Sequence, residues 1–168
     1  LEERLAMLEG GVGALAVSSG QSASLIAVLN IAKSGDEIVA STNMYGGTVN
    51  LMNVTLRKMG IETKFVSSDK AEDFEAQITD KTRCIFVEML NNPSLKIADI
   101  ENIAKVAHAH NIPLIVDNTI TTPYLCRPIE FGADIVVHSL TKYICGHGTS
   151  MGGVIVDSGN FDWTKSGK

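Results

Sequence analysis

Lys142 is the residue whose setting points most directly to covalent chemistry. It closes His138-Ser139-Leu140-Thr141-Lys142, just after the apolar run at 135–137, and precedes the glycine-rich Gly146-His147-Gly148-Thr149-Ser150-Met151-Gly152-Gly153. Most lysines are solvated and do no chemistry. One partly withdrawn from water acts as nucleophile and base near neutrality, and such partial desolvation is expected here. Ser139 and Thr141 flank it with hydroxyls suited to phosphate oxygens.

Other groups match it in kind. Asp117 ends the apolar stretch Pro113-Leu114-Ile115-Val116, where a carboxylate is costly unless it meets a cation or a hydrogen-bond donor. A protonated pyridine nitrogen is such a cation; a loop-capping role is the alternative. Ser18-Ser19-Gly20-Gln21-Ser22 combines small residues with the start of a helical pattern, so backbone amides and the helix dipole can face an anion. The alternative is an ordinary serine N-cap. Tyr45, beside Gly46 and Gly47, offers a ring that could stack on a flat ligand or merely cover a turn. Asn91-Asn92-Pro93 adds polar groups. A lysine, a carboxylate, a phosphate cradle and an aromatic lid are the parts that hold pyridoxal 5'-phosphate.

These groups need a scaffold that brings them together. Short apolar runs alternate with helical patterns, which predicts a three-layer α/β/α domain with a mostly parallel sheet. Strands are expected at 14–18, 37–41, 62–66, 83–88, 114–117, 134–138 and 153–157. Several are unbroken apolar stretches, as in strands covered on both faces. Helices are expected at 21–33, 48–59, 69–78 and 99–110, with the opening residues also helical. Each candidate group then follows a strand, and in open α/β sheets ligands collect at the carboxyl ends of strands.

Gly11-Val12-Gly13-Ala14-Leu15-Ala16, with Asp36 downstream, resembles a dinucleotide-binding fingerprint. That motif needs a strand before the glycines and a helix after them. The order here is reversed, so a helix C-cap and turn are expected instead.

A formal net charge of −5 and scattered basic residues argue against a nucleic-acid surface. No apolar run approaches the roughly 20 residues that span a bilayer. Cys84, Cys126 and Cys145 lack metal-ligand or C-x-x-C spacing and are expected to be reduced thiols in a cytoplasmic protein; no metal site is expected. The chain opens in a helical pattern without Met and closes soon after an apolar segment, as a piece of a larger protein would.

Over its whole length the chain resembles the large domain of the fold-type-I Cys/Met-metabolism pyridoxal-phosphate enzymes. The resemblance rests above all on Val116-Asp117-Asn118-Thr119, on Thr122-Pro123-Tyr124-Leu125-Cys126-Arg127-Pro128-Ile129-Glu130-Phe131-Gly132, and on the stretch from Ala133 to Gly153. The segment after Lys142 is most similar to O-acetylhomoserine sulfhydrylases; the lyases and cystathionine synthases more often carry an aspartate soon after the Gly-His pair. The resemblance implies that Lys142 forms the Schiff base and that Asp117 pairs with the pyridinium. Tyr45 would stack on the ring and assist proton or leaving-group steps. Gly20 and Gln21 would give phosphate-binding amides, Ser139 and Thr141 hydroxyls, and Asn92 a hydrogen bond to the phenolic oxygen.

The activity so implied is γ-replacement on O-acetylhomoserine by sulfide or a thiol, giving homocysteine or methionine. Methionine γ-lyase, cystathionine γ-synthase and cystathionine γ-lyase are the alternatives within the family. A cofactor-binding piece without turnover, and a nicotinamide-binding domain, are those outside it. The resemblance also implies a homo-oligomer, a tetramer in the family, acting on a small amino-acid substrate. The family's N-terminal segment and C-terminal small domain are expected to lie outside residues 1–168.

Overall fold

Unbroken apolar strands demand cover on both faces, and the chain supplies it. The computed structural model describes residues 1–166. One sheet contains β1 (Gly13–Val17), β2 (Glu37–Ser41), β3 (Glu62–Val66), β4 (Thr82–Glu88), β5 (Leu114–Asp117), β6 (Ile135–Ser139) and β7 (Gly153–Asp157), in the order β1-β7-β6-β5-β4-β2-β3. The strands from β6 to β3 pair in parallel. β7 is antiparallel to both β6 and β1, so β1 runs in the same direction as β6. The carboxyl ends of β1, β2, β4, β5 and β6 therefore share one edge of the sheet. The predicted strands agree within about a residue at each end.

Residue alternation sends the two sides of each strand to different cores. One face packs Val39, Ile85, Val87, Val116 and Val136 beneath Leu5 of α1 (Glu2–Glu9) and Ile100, Ile103 and Ala107 of α5 (Ile100–Ala109). The other packs Ile38, Ala40, Phe86, Ile115 and Val137 against Ala23, Ala27 and Val28 of α2 (Gly20–Leu29) and against Met52 and Leu56. The three-layer expectation holds.

The helices depart from expectation at their ends. Helix α2 stops at Leu29, and Asn30–Ala32 turn on bonds to Ile26 and Val28 carbonyls. The helix expected at 48–59 begins earlier, as α3 (Gly46–Asn50), and widens into a π-helical segment over Leu51–Leu56. The predicted helix at 69–78 is only α4 (Ala71–Glu75). Helix α5 matches closely: the Asp99 carboxylate caps it by accepting from the Asn102 amide, and Asn111 adopts φ 54° just beyond it.

The glycine-rich GVGALA segment is a helix exit. Gly10 caps α1 in the left-handed region at φ 82°, and the chain then enters β1. Asp36 lies at the opposite edge of the sheet from the candidate site, where its carboxylate accepts from Arg83 Nε at 2.8 Å and from the Lys33 amide at 2.9 Å.

Candidate active site

The shared carboxyl edge encloses a cavity of about 400 Å³. Gly20, Gln21, Tyr45, Asn92, Asp117, Ser139, Thr141 and Lys142 all line it. Positions 122 residues apart in sequence thus meet in one space because five strands end there.

One wall of the cavity is built by close approach. Ser19 caps α2, its side-chain oxygen accepting from the Ser22 amide at 3.1 Å. The first amides of a helix lack intrahelical acceptors, so those of α2 can face an anion. A Cβ on Gly20 would stand 2.5 Å from Ser139 Cβ, and one on Gly153 would stand 2.1 Å from the Ser19 carbonyl oxygen. Only glycine lets these loops pack so tightly. The Thr141 hydroxyl accepts from the Gly152 amide at 3.2 Å, which ties the loop after β6 to the start of β7. Gln21 Nε2 donates to the Thr48 hydroxyl at 3.0 Å, linking α2 to α3.

Next to that wall the cavity lining is acidic. The Asp117 carboxylate accepts from the Thr119 amide at 3.0 Å and from the Thr119 hydroxyl. That hydroxyl in turn accepts from the Ser139 amide at 2.8 Å. Burial nonetheless raises the Asp117 carboxyl above its ordinary value, against the opposing effects of Thr119 and of His138. A cation in the cavity would relieve that strain.

Beside it stands Glu88, which the sequence reading did not single out. The β4–β5 ladder pairs Glu88 with Asp117, so both side chains leave the sheet on one face. Glu88 is 4% exposed. Its Oε2 accepts from the Tyr45 amide at 2.9 Å and from the Asn92 amide at 3.3 Å. Burial first, and the Asp117 charge second, push its carboxyl from 4.5 up to about 7. Between those two values the folded cofactor-free protein holds a proton that the unfolded chain has released. Stability therefore falls as pH rises through that window, by about 3 kcal/mol for this group. Urea unfolding of the cofactor-free protein from pH 4.5 to 7.5 should show a steeper fall for wild type than for Glu88→Gln; parallel curves would contradict this.

Lys142 corrects one expectation. It is exposed at the cavity rim rather than partly withdrawn from water. The buried strand stops at Ser139, and Lys142 lies three residues on, in a turn closed by the Gly146 amide bonding to its carbonyl at 2.8 Å. Tyr45 is 47% exposed and stands at the N-cap of α3.

Behind the site, Glu9 of α1 accepts from His138 Nε2 and, at 2.9 Å, from Asn118 Nδ2. All three residues are buried, and among the described residues Glu9 Oε2 and His138 Nδ1 have no hydrogen-bond partner. Among the described residues, no group of three or more His, Cys, Asp or Glu side chains is arranged for a metal ion, and no helix is long and apolar enough to cross a membrane.

Known proteins resemble this chain in sequence and in fold. A sulfhydrylase of Fusarium oxysporum f. sp. lycopersici is 58% identical over 165 residues, covering 98% of this chain and 38% of its own length. An O-acetyl-L-homoserine sulfhydrylase of Leptospira meyeri is 53% identical over 163 residues, 97% of this chain and 37% of the relative. A Campylobacter jejuni protein solved with N'-pyridoxyl-lysine-5'-monophosphate superposes with a TM-score of 0.93 at 42% identity, over 95% of this chain and 40% of that one. This chain thus spans about two fifths of the relatives' length. The model of the Cys/Met metabolism PLP-dependent enzymes matches residues 1–168, and the chain belongs to that pyridoxal-phosphate-dependent family.

Proposed function

We propose that the protein exchanges the acetate of O-acetylhomoserine for sulfide or a thiol, releasing homocysteine or methionine, and that residues 1–168 form its cofactor-binding large domain. Residues 167 and 168 lie outside the described residues. The observation that carries the reading is the meeting of Lys142, Asp117 and a glycine-lined phosphate cradle in one cavity. The sulfhydrylase names of relatives above 50% identity favour this reaction over lyase chemistry.

The donor set fits pyridoxal phosphate. The Gly20–Ser139 approach leaves amides and hydroxyls where a side chain would otherwise fill the space. The buried Asp117 carboxylate calls for a cation. When bound, the cofactor supplies an electrophilic carbon for amines and an electron sink in its ring.

The chain's own residues do the rest. Lys142 Nζ would hold the cofactor at its electrophilic carbon and, as a free amine, would take the proton from the substrate Cα. Its exposure at the rim leaves it room to swing between these positions. Asp117 would hold a proton on the pyridine nitrogen by charge pairing. The α2 amides with Ser139 and Thr141 would grip the phosphate, and Gln21 holds α2 against α3. Tyr45 would cover the ring and serve proton and leaving-group steps, while Asn92 would orient the phenolic oxygen. Acetate leaves Cγ and the sulfur nucleophile bonds there, so each turnover consumes one sulfide and yields one acetate. A homo-oligomer in the cytoplasm completes the proposal.

The test is product analysis on the pyridoxal-phosphate-loaded protein. O-acetylhomoserine with sulfide should give homocysteine and acetate in equal amounts. Cystathionine from added cysteine, or a keto acid with ammonia, as the dominant product would replace this reading with a synthase or lyase. Bound cofactor without any turnover would favour the non-catalytic alternative.

A further inference from the structure

We propose that Glu88 is a positioning residue: one carboxylate oxygen ties the loop after β2 to the loop after β4, and so fixes where the Tyr45 ring and the Asn92 amide stand against the bound cofactor. The inference rests on the pyridoxal-phosphate reading of the cavity.

Its ground is a convergence of bonds. β2 and β4 are neighbours in the sheet, and their chains leave the same edge toward different destinations. One runs through Tyr45 into α3; the other turns at Asn92. Nothing in either loop's own backbone joins Tyr45 to Asn92, yet both amides donate to Glu88 Oε2, at 2.9 and 3.3 Å. The Tyr45 amide leads directly into α3, whose N-cap has no side-chain cap. The second loop is secured to β4 as well, through Asn91 Nδ2 donating to the Glu88 carbonyl at 2.9 Å.

A side chain that served only to fill the core would be apolar here. A buried carboxylate beside Asp117 is expensive unless its acceptors are used, and shared acceptance from two loops is such a use. Releasing Oε2 would free both loops at once, moving the ring and the amide together.

Reach and charge separate under substitution. Glu88→Gln keeps an acceptor oxygen at the same distance and drops the charge. Glu88→Asp keeps the charge and withdraws it by one methylene, about 1.5 Å. Cofactor affinity is measured by absorbance titration, and the visible circular dichroism of the bound cofactor is read at saturation. A variant that is merely less stable would still give the wild-type spectrum once saturated. The expected result is that Glu88→Gln binds within about 3-fold of wild type with the same dichroism, whereas Glu88→Asp binds at least about 10-fold more weakly, the effect of one to two lost hydrogen bonds, with altered dichroism. Wild-type behaviour from Glu88→Asp, or equal losses from both variants, would overturn the inference.

Borohydride fixation on the wild-type protein keeps the two claims apart. If Lys142 is labelled while the variants behave alike, only the role of Glu88 fails. If Lys142 in the loaded wild type is not labelled, the cofactor reading fails and this inference falls with it.

Discussion

Lys142→Ala is expected to remove covalent capture of the cofactor and lower turnover by at least about 10³-fold, while leaving the fold intact. The size reflects two roles lost together, a nucleophile and a positioned base, of which the base alone contributes about 10²–10⁴-fold. The fold should not notice, because the side chain is exposed and its turn is held by backbone bonds from Lys142 N to the Ser139 carbonyl and from Gly146 N to the Lys142 carbonyl. Substitutions at such positions stay within about 0.5 kcal/mol. Cofactor should still bind, without the covalent bond, since the α2 amides, Ser139, Thr141 and Asp117 are untouched. Borohydride reduction and then peptide mapping read the first effect, and homocysteine formation reads the second. A variant that retains turnover within 10-fold of wild type would show that Lys142 does not carry the chemistry.

The residues that announce themselves in the sequence are those at strand ends. Asp117 and the Ser139–Lys142 stretch each come after an unbroken apolar run, and such runs in a parallel sheet deliver the next few residues to one edge. That logic brought the eight candidate residues to one cavity without knowledge of the strand order. Glu88 carries the same mark as Asp117, a carboxylate closing an apolar strand. Its meaning depends on β4 pairing with β5 in the register that sets Glu88 opposite Asp117, and a single strand does not reveal register. The Glu9–His138 contact joins residues 129 apart in sequence and exists only because α1 packs against β1 and β7, beside β6. The strand at 153–157 is legible but its antiparallel direction is not, and that direction carries Gly153 against Ser19. The exposure of Lys142 escaped for a simpler reason. Strand burial ends with the strand, and three residues of turn are enough to reach solvent.

Asp117→Asn should have effects of opposite sign on function and on stability. The substitution is nearly isosteric, and an amide oxygen can still accept from the Thr119 amide and hydroxyl, so local structure is kept. The charge is lost. A neutral amide does not hold the pyridine nitrogen protonated, the electron sink weakens, and turnover should fall by about 10²–10³-fold, the usual effect of removing one preorganised electrostatic group. The cofactor-free protein should become more stable at pH 8, because burial disfavours the ionised carboxylate there. A higher thermal midpoint for the variant is the expected reading. Linkage sets the sign. A raised carboxyl means the folded state retains a proton that the unfolded state has lost, so wild-type stability declines as pH rises out of the ordinary carboxylate range. The gain from asparagine should therefore be largest at pH 8 and vanish below about pH 3, where the carboxyl is protonated in both states. Thermal melts of the two cofactor-free proteins across that range decide the matter. A variant less stable than wild type at every pH would make Asp117 a structural cap whose charge the fold needs, whereas stability gained together with turnover lost identifies a carboxylate held at a cost to the fold for the cation it meets in the cavity.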